Sequence, residues 1–111
     1  MAIPHLKSGQ SVDVRPYGDA LPQRQTHALF KSADLELLRL VLPRGKSLPP
    51  HRVPGEITIQ CLEGQIDVTT PDGHHPLAAG QLLYLEGDVE HGVQALDDAS
   101  ALVTIALKPA R

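Results

Sequence analysis

The chain has 111 residues, 41% of them hydrophobic, and a formal net charge of −3. This length predicts one domain, residues 1–111, and the apolar fraction suffices for a buried core, which excludes a disordered chain. The ten Lys and Arg residues are scattered, so we expect no partner among nucleic acids and no binding to an anionic membrane.

The cellular compartment is predicted from features that the sequence lacks. A single cysteine, Cys61, excludes an intramolecular disulfide and fits a reducing compartment. The first residues, MAIPHLKSGQ, lack the basic start and apolar run of a signal peptide. No segment has the length of a transmembrane helix. We therefore predict a cytoplasmic protein.

Ten prolines and nine glycines are spread evenly and divide the chain into short segments. Segments at spacings of about 8 to 12 residues are typical of a β-sandwich or barrel. The first strong candidate, LELLRLVL at 35–42, has apolar residues at both helical and strand spacings. Its short length, the proline that follows and its strand-like neighbours favour a strand.

Four further strands are predicted in chain order. EITIQCLEG at 56–64 alternates apolar and polar residues, and QIDVTT at 65–70 does the same before a Pro-Asp-Gly turn. GQLLYLEG at 80–87 is a short apolar run of the kind found in buried strands, and the segment from Ala101 is β-branched in its middle. The chain is thus predicted to be all-β.

Two of these regions resemble the sequence motifs of the cupin superfamily. Residues 45–64, GKSLPPHRVPGEITIQCLEG, resemble the first motif, which runs Gly, five residues, His-X-His, three or four residues, Glu, six residues, Gly. Residues 80–95, GQLLYLEGDVEHGVQA, resemble the second, with its Pro-X-Gly, His and Asn. The resemblance implies a jelly-roll barrel of two antiparallel sheets with a short hairpin between the motifs.

The metal ligands of the family are only partly present. His51 matches the first histidine of the first motif, and His91 matches the histidine of the second. Val53 and Ile57 stand where the family has a histidine and a glutamate. The second motif also differs, with Glu86 for proline, Asp88 for glycine and Ala95 for asparagine. Two of four ligands therefore remain.

Strand alternation predicts which side chains surround the two histidines. Ile57, Ile59 and Cys61 share one face of their strand, and Glu56 points the other way. With the barrel implied by the resemblance, we predict a site in its interior that binds a small molecule. Its residues are His51, His91, Val53, Ile57, Ile59, Cys61 and Tyr84.

Two functions are compatible with this pattern. The first is a small cupin that binds a small molecule beside His51 and His91, and the second is a metal-dependent enzyme of the oxygenase or isomerase type with these two histidines as ligands of a divalent transition metal. The same histidines are also compatible with partly buried rings held by hydrogen bonds. His74 and His75 are expected to be solvated in a turn, and Cys61 to act as a small buried hydrophobe.

A homodimer is predicted as well. A short barrel has exposed strand edges that a partner covers, and small cupins commonly pair in this way. The segment SVDVRPYG at 11–18 is the candidate for an edge strand or an exchanged strand.

Overall fold

The computed structural model describes residues 5–108, which form two antiparallel β-sheets. Within these residues the strands are β1 (His27–Lys31), β2 (Leu35–Leu42), β3 (Ser47–His51), β4 (Ile57–Glu63), β5 (Gln65–Thr70), β6 (Gly73–Ala78), β7 (Leu82–Leu85), β8 (His91–Ala95) and β9 (Ala99–Ala106). A 3₁₀ helix, Gly18–Gln23, precedes β1. None of the helices in this part of the chain is long and apolar enough to span a membrane.

The strand order gives the predicted jelly roll. One sheet has the order β1-β2-β9-β4-β7, and the other has the order β3-β8-β5-β6. The predicted hairpin between the two motifs is confirmed as β5 and β6. Consecutive strands such as β4 and β5 lie in different sheets, so the chain passes repeatedly from one sheet to the other.

The core lies between the sheets and follows from strand alternation. Ile57, Ile59 and Cys61 of β4 are each at most 3% exposed and pack with Ile66 and Val68 of β5, which are fully buried. Because successive side chains on a strand point to opposite faces, every second residue of β4 enters the core. Burial of these aliphatic groups is the main source of stability, at roughly 25 cal/mol per Å².

The segment at 35–42 is a strand, as predicted, although leucine favours helices. It pairs with β1 on one side and with β9 on the other. This pairing overrides the local propensity, because both edges of the strand are satisfied by ladder hydrogen bonds. Leu40 and Leu42 point into the core, whereas Arg39 lies on the outer face of the sheet, where it is only 2% exposed.

The chain before β1 covers Arg39. The Tyr17 ring lies 3.7 Å from the Arg39 guanidinium carbon. Arg39 Nη2 donates to the Arg15 carbonyl at 2.7 Å, to Ser100 Oγ at 3.1 Å and to Glu63 Oε2 at 3.2 Å. The Glu63 carboxylate in turn accepts the Tyr17 and Gly18 backbone N–H groups. We call residues 15–18, held in this way, the N-terminal strap.

The strap corrects one expectation, that of an edge strand within the chain, while exchange of this segment with a second chain stays a prediction. In the single chain, residues 11–18 form no strand. The physical reason is that Glu63 takes two of the backbone donors that a sheet partner would need. The edge of β1 is reached instead by residue 6, whose N–H donates to the Leu29 carbonyl at 2.9 Å.

The strands β1 and β3 were not predicted, and β7 was predicted in the wrong environment. β3 contains Pro49 and Pro50, which occur in sheets only at edges or bulges, and here β3 is an edge strand with an irregular register. β1 is short and half-polar. β7 is the edge strand of the five-stranded sheet rather than a buried strand. Leu82 on its outer face is 61% exposed.

Candidate functional site

A small apolar cavity lies between the two sheets beside His51 and His91. Its volume is about 70 Å³. Apart from the two imidazoles its walls are hydrocarbon, contributed by Leu38, Leu40, Leu48, Val53, Ile57, Ile59, Val93, Val103 and Ile105. A water molecule takes about 30 Å³ of liquid, so only a few non-hydrogen atoms fit inside.

The two histidines are cross-strand partners in the β3–β8 ladder. Their ring centroids are 4.5 Å apart, with the planes inclined at 53°. His91 is 5% exposed, whereas His51 is exposed on the edge strand. The predicted proximity of these two rings is therefore observed, with one ring buried in the wall and the other open to solvent.

Backbone carbonyls orient both rings. His51 Nδ1 lies 3.3 Å from the Pro49 carbonyl oxygen, and His91 Nδ1 lies 3.0 Å from that of Val89. A carbonyl oxygen only accepts, so each Nδ1 must carry the proton. In the neutral ring Nε2 is then an acceptor. No hydrogen bond joins either Nε2 to another group within residues 5–108.

The loops beside the cavity are fixed by close backbone packing. Asp88 N–H donates to the Val53 carbonyl at 2.8 Å, which ties the β7–β8 loop to the loop after β3. Asp88 has a φ of 64°, a left-handed conformation that favours glycine. This explains the glycine that the cupin motif has at this position. Val53 is held at the cavity wall by the same contact.

The donor set does not fit the four-ligand metal centre that the fold family implies. Within the described residues, no three His, Cys, Asp or Glu side chains are grouped as metal ligands would be. Val53 and Ile57, which replace two ligands of the motif, instead extend the hydrocarbon wall. A dication there would meet two imidazoles and apolar surface, which compensates little of its lost hydration.

Alternation also decides where Glu56 lies. Its neighbour Ile57 is buried and enters the cavity wall, so Glu56 points outward and accepts a hydrogen bond from the Tyr84 hydroxyl. It therefore does not replace the missing carboxylate of the motif.

Tyr84 was placed wrongly by the sequence prediction. Its neighbour Leu85 is a core residue, so Tyr84 points to the outer face of β7, where it is 54% exposed. It is not part of the wall of the histidine cavity. The hydrogen bond to Glu56 is the main cause that raises the pKa of the Tyr84 hydroxyl.

Cys61 is in the interior, as predicted, but deeper than the cavity wall. It is 0% exposed and its thiol contacts the Glu63 carbonyl at 3.4 Å. Burial raises the pKa of the Cys61 thiol, and backbone hydrogen bonds oppose this only in part. A buried neutral thiol is a poor nucleophile, so Cys61 acts as a core residue.

A polar cluster at the β5–β6 turn was missed by the sequence prediction. His75 Nε2 lies 2.9 Å from Thr70 Oγ1 and 3.0 Å from Asp72 Oδ1. The signal was available, because Leu77 is buried and His75, two residues earlier, shares its face. His74 points the other way, is 74% exposed and contacts Asp67 at 2.6 Å. The expectation of a solvated side chain thus holds for His74, whereas the His75 side chain is partly buried, with 32% of its surface exposed.

Comparison with solved structures gives the same fold. A cupin protein described as RmlC-like from Desulfovibrio desulfuricans has 29% identity and a TM-score of 0.70, with 93% of this chain and 98% of that chain covered. A conserved protein of unknown function from Streptococcus pyogenes has 19% identity and a TM-score of 0.75, covering 99% and 97%. A cupin superfamily protein from Desulfitobacterium hafniense has 14% identity and a TM-score of 0.76, covering 97% and 100%.

Comparison with curated proteins finds no match. A family model described as the cupin domain matches residues 38–107, which include both motifs and the strands from within β2 to the end of β9. The chain belongs to the cupin domain family.

Proposed function

We propose that this cupin binds a small, largely apolar molecule that carries a hydrogen-bond donor, in the cavity beside His51 and His91. The observation that supports it is the orientation of the two rings. Both Nδ1 atoms are engaged by carbonyls, so the neutral rings offer two Nε2 acceptors beside an otherwise apolar wall. A ligand N–H or O–H group supplies the matching donor.

The size of the cavity limits what enters it. Sites for drug-sized ligands are roughly 300–1,000 Å³, whereas this cavity has about 70 Å³. Only one small apolar end of a ligand is therefore enclosed. Because His51 is exposed, a larger ligand would extend past this ring into solvent.

Pyrrole and furan form a matched pair of probes, since both are five-membered rings and only pyrrole has an N–H donor. We expect pyrrole to shift the imidazole ¹⁵N resonances of His51 and His91 in an NMR titration. Furan should bind about fivefold more weakly, as expected for one lost hydrogen bond. Equal binding of both probes would contradict the proposal.

Two variants test where pyrrole binds. His51→Ala and His91→Ala should each weaken pyrrole binding, while His74→Ala should not, because His74 is an exposed histidine of the β6 strand. An effect of His74→Ala as large as that of His51→Ala would contradict the assignment of the site.

The alternative is a metal-dependent enzyme, of oxygenase or isomerase type, with a two-histidine ligand set. The same Nδ1 contacts favour it, because a metal-bound histidine usually donates its other N–H to a carbonyl or carboxylate. Metal analysis of freshly purified protein separates the two functions. Stoichiometric transition metal that is lost in His91→Ala would favour the enzyme over the binding protein.

Restoring the two missing ligands of the motif tests how far their loss limits the affinity for a divalent metal. We expect Val53→His and Ile57→Glu together to raise the affinity for Zn²⁺, because four protein ligands then converge, as in metal-binding cupins. The single variant Ile57→Glu should instead destabilise the fold, since Ile57 is 3% exposed and a lone carboxylate there would be buried without a partner.

A further inference from the structure

A second and larger cavity lies on the flank of the barrel, in the gap between the edge strands β6 and β7. We call it the flank groove. Thr70, Asp72 and His75 line one side of it, and Leu83, Leu85 and the β7–β8 loop line the other. Its volume is about 470 Å³, within the usual range for small-molecule sites. It shares no lining residue with the histidine cavity.

The floor of the flank groove is apolar. Leu85 is 9% exposed, and Leu83 and Val89 are half-buried beside it. These three side chains come from β7 and the loop that follows it, and Leu83 and Val89 pack against the same core cluster that contains Leu85. A ligand in the groove would therefore rest an apolar stem on this surface.

The rim of the groove is acidic. Asp72 and Glu86 line it from opposite sides, and both are exposed, whereas no Lys or Arg is among its lining residues. The negative charges of Glu56 and Glu86 contribute to the raised pKa of Tyr84, which also lines the groove. With two carboxylates and one histidine, the ionisable groups of this rim are mainly acidic.

His75 fixes the position of one of the two carboxylates. Its Nε2 contacts Asp72 Oδ1 at 3.0 Å, and the Thr70 hydroxyl donates to the same oxygen. Asp72 Oδ1 is thus held by two neighbours, while no side-chain partner of Oδ2 occurs in the described part of the chain. Hydrogen bonds from Thr70 and then His75 lower the pKa of Asp72, so its carboxylate is charged at neutral pH.

We propose that the flank groove binds a small organic cation, with an ammonium or guanidinium group between Asp72 and Glu86 and an apolar stem on Leu83, Leu85 and Val89. The charge of the rim selects a cation over an anion, and the floor selects an organic cation over a hydrated metal ion. Glu86 is one of the residues that departs from the cupin motif, where proline is usual.

Three probes with the same ring test the charge requirement at pH 7. Benzylamine is a cation, benzyl alcohol is neutral and benzoate is an anion. In ¹H–¹⁵N NMR titrations we expect benzylamine to shift the backbone amides of His75, Leu83 and Leu85. The alcohol should bind severalfold more weakly and benzoate not at all. Added salt should weaken the binding of benzylamine and leave that of the alcohol unchanged.

Matched variants test the two carboxylates. Glu86→Gln and Asp72→Asn should each weaken benzylamine binding about two- to fivefold, as expected for exposed ion pairs. Asp19→Asn removes the same charge from the exposed 3₁₀ helix, outside the groove, and should leave the affinity unchanged. Because Glu86 is exposed, Glu86→Gln is expected to fold normally.

Three results would overturn the proposal. The first is that benzyl alcohol binds as tightly as benzylamine, and the second is that Asp19→Asn loses as much affinity as Glu86→Gln. The third is that benzylamine shifts only the amides of Leu48 and Val103 at the histidine cavity. The outcome is independent of the pyrrole experiment, because the two cavities have different lining residues.

Discussion

His51 and His91 are neighbours on the adjacent strands β3 and β8, yet they contribute differently to the stability of the fold. His91 is 5% exposed and its Nδ1–H is bonded to the Val89 carbonyl, whereas His51 is exposed on an edge strand. Removing the buried His91 ring leaves a cavity and takes the partner from the Val89 carbonyl, whereas the Pro49 carbonyl that His51 would leave belongs to an exposed residue that water can reach.

The two alanine variants should therefore differ in stability. We expect His91→Ala to lower the free energy of unfolding by about 2 kcal/mol and His51→Ala by less than about 0.5 kcal/mol. Both variants should keep the fold. Urea denaturation followed by circular dichroism measures the difference, and equal losses would show that the rings are equally buried in solution.

Asp88 carries the clearest backbone strain near the site. Its φ of 64° is left-handed, and its N–H is used to hold the Val53 carbonyl. Asp adopts this conformation more readily than most residues but less readily than glycine.

The stability of variants at position 88 should follow the energetic cost of the left-handed conformation for the residue that is introduced. We expect Asp88→Ala to destabilise the protein by about 1 kcal/mol and Asp88→Gly to be neutral or stabilising. Thermal unfolding of the two variants, with Glu90→Ala in the same loop as control, checks the order. A more stable alanine variant than glycine variant would contradict the assigned conformation.

At these positions, alternation was a reliable guide where one face of a strand is buried. It placed Ile57 and Ile59 on the inner face and Glu56 on the outer face. The prediction for Tyr84 was wrong because its strand, LLYL, is apolar at every position and therefore shows no alternation. Only the pairing of β7 with β4, which sets Leu85 opposite the buried Ile57, shows which of its faces meets the core.

Among the elements, the N-terminal strap depends on one carboxylate. Glu63, with 11% of its side chain exposed, accepts the Tyr17 and Gly18 N–H groups, the Ser100 hydroxyl and one Arg39 nitrogen. Burial alone would raise the pKa of Glu63, but these hydrogen bonds, the Ser100 bond first, and the Arg39 charge outweigh it and lower the pKa.

The lowered pKa predicts a pH-dependent stability. A carboxyl whose pKa is lower in the folded chain stabilises it above its unfolded value of 4.5, and this contribution is lost as pH falls through the folded pKa. Glu63→Gln should cost about 3 kcal/mol at pH 7, because Arg39 is then buried without a counter-charge. The difference from the unmodified chain should shrink below pH 4.

Urea denaturation at pH 7, 5 and 3 measures this difference. Glu90→Gln is the matched control, because Glu90 forms an exposed ion pair with Arg52, which is worth little. A constant difference between Glu63→Gln and the unmodified chain at all three pH values would contradict the prediction.

The local sequence pattern carries a signal for only one of the two charged partners that hold the strap. An arginine inside LELLRLVL is a visible signal for a buried ion pair, since every residue of β2 from Leu37 to Leu42 other than Arg39 is apolar. Its partner Glu63 is 24 residues away in the chain, and their meeting depends on β9 lying between β2 and β4. Pairings of this kind between distant segments cannot be predicted from local patterns.

For the whole molecule, the outer face of the five-stranded sheet is only partly covered. The strap lies over Arg39, but Leu35 is 41% exposed and Leu82 is 61% exposed. Thr58, Gln60 and Thr104, which are uncharged, lie at outward positions on the strands between them. We propose that a second copy of the chain packs on this face to form the homodimer.

Light scattering coupled to size-exclusion chromatography tests this proposal. We expect a mass near twice 12.0 kDa at micromolar concentration. Leu82→Glu should shift the protein to the monomer, whereas Leu96→Glu, at a leucine in the β8–β9 loop that is 41% exposed, should not. A monomeric mass for the unmodified chain would refute the homodimer.

The prolines of the four-stranded sheet have a consequence for aggregation. Its edge strands are β3, with Pro49 and Pro50, and β6, with Pro76. Proline has no N–H to offer an incoming strand. Edge-to-edge pairing of this sheet between molecules, the step by which β-proteins grow into fibrils, is thus opposed at both edges. The folded chain should therefore remain dispersed at concentrations where sheets with unprotected edges polymerise.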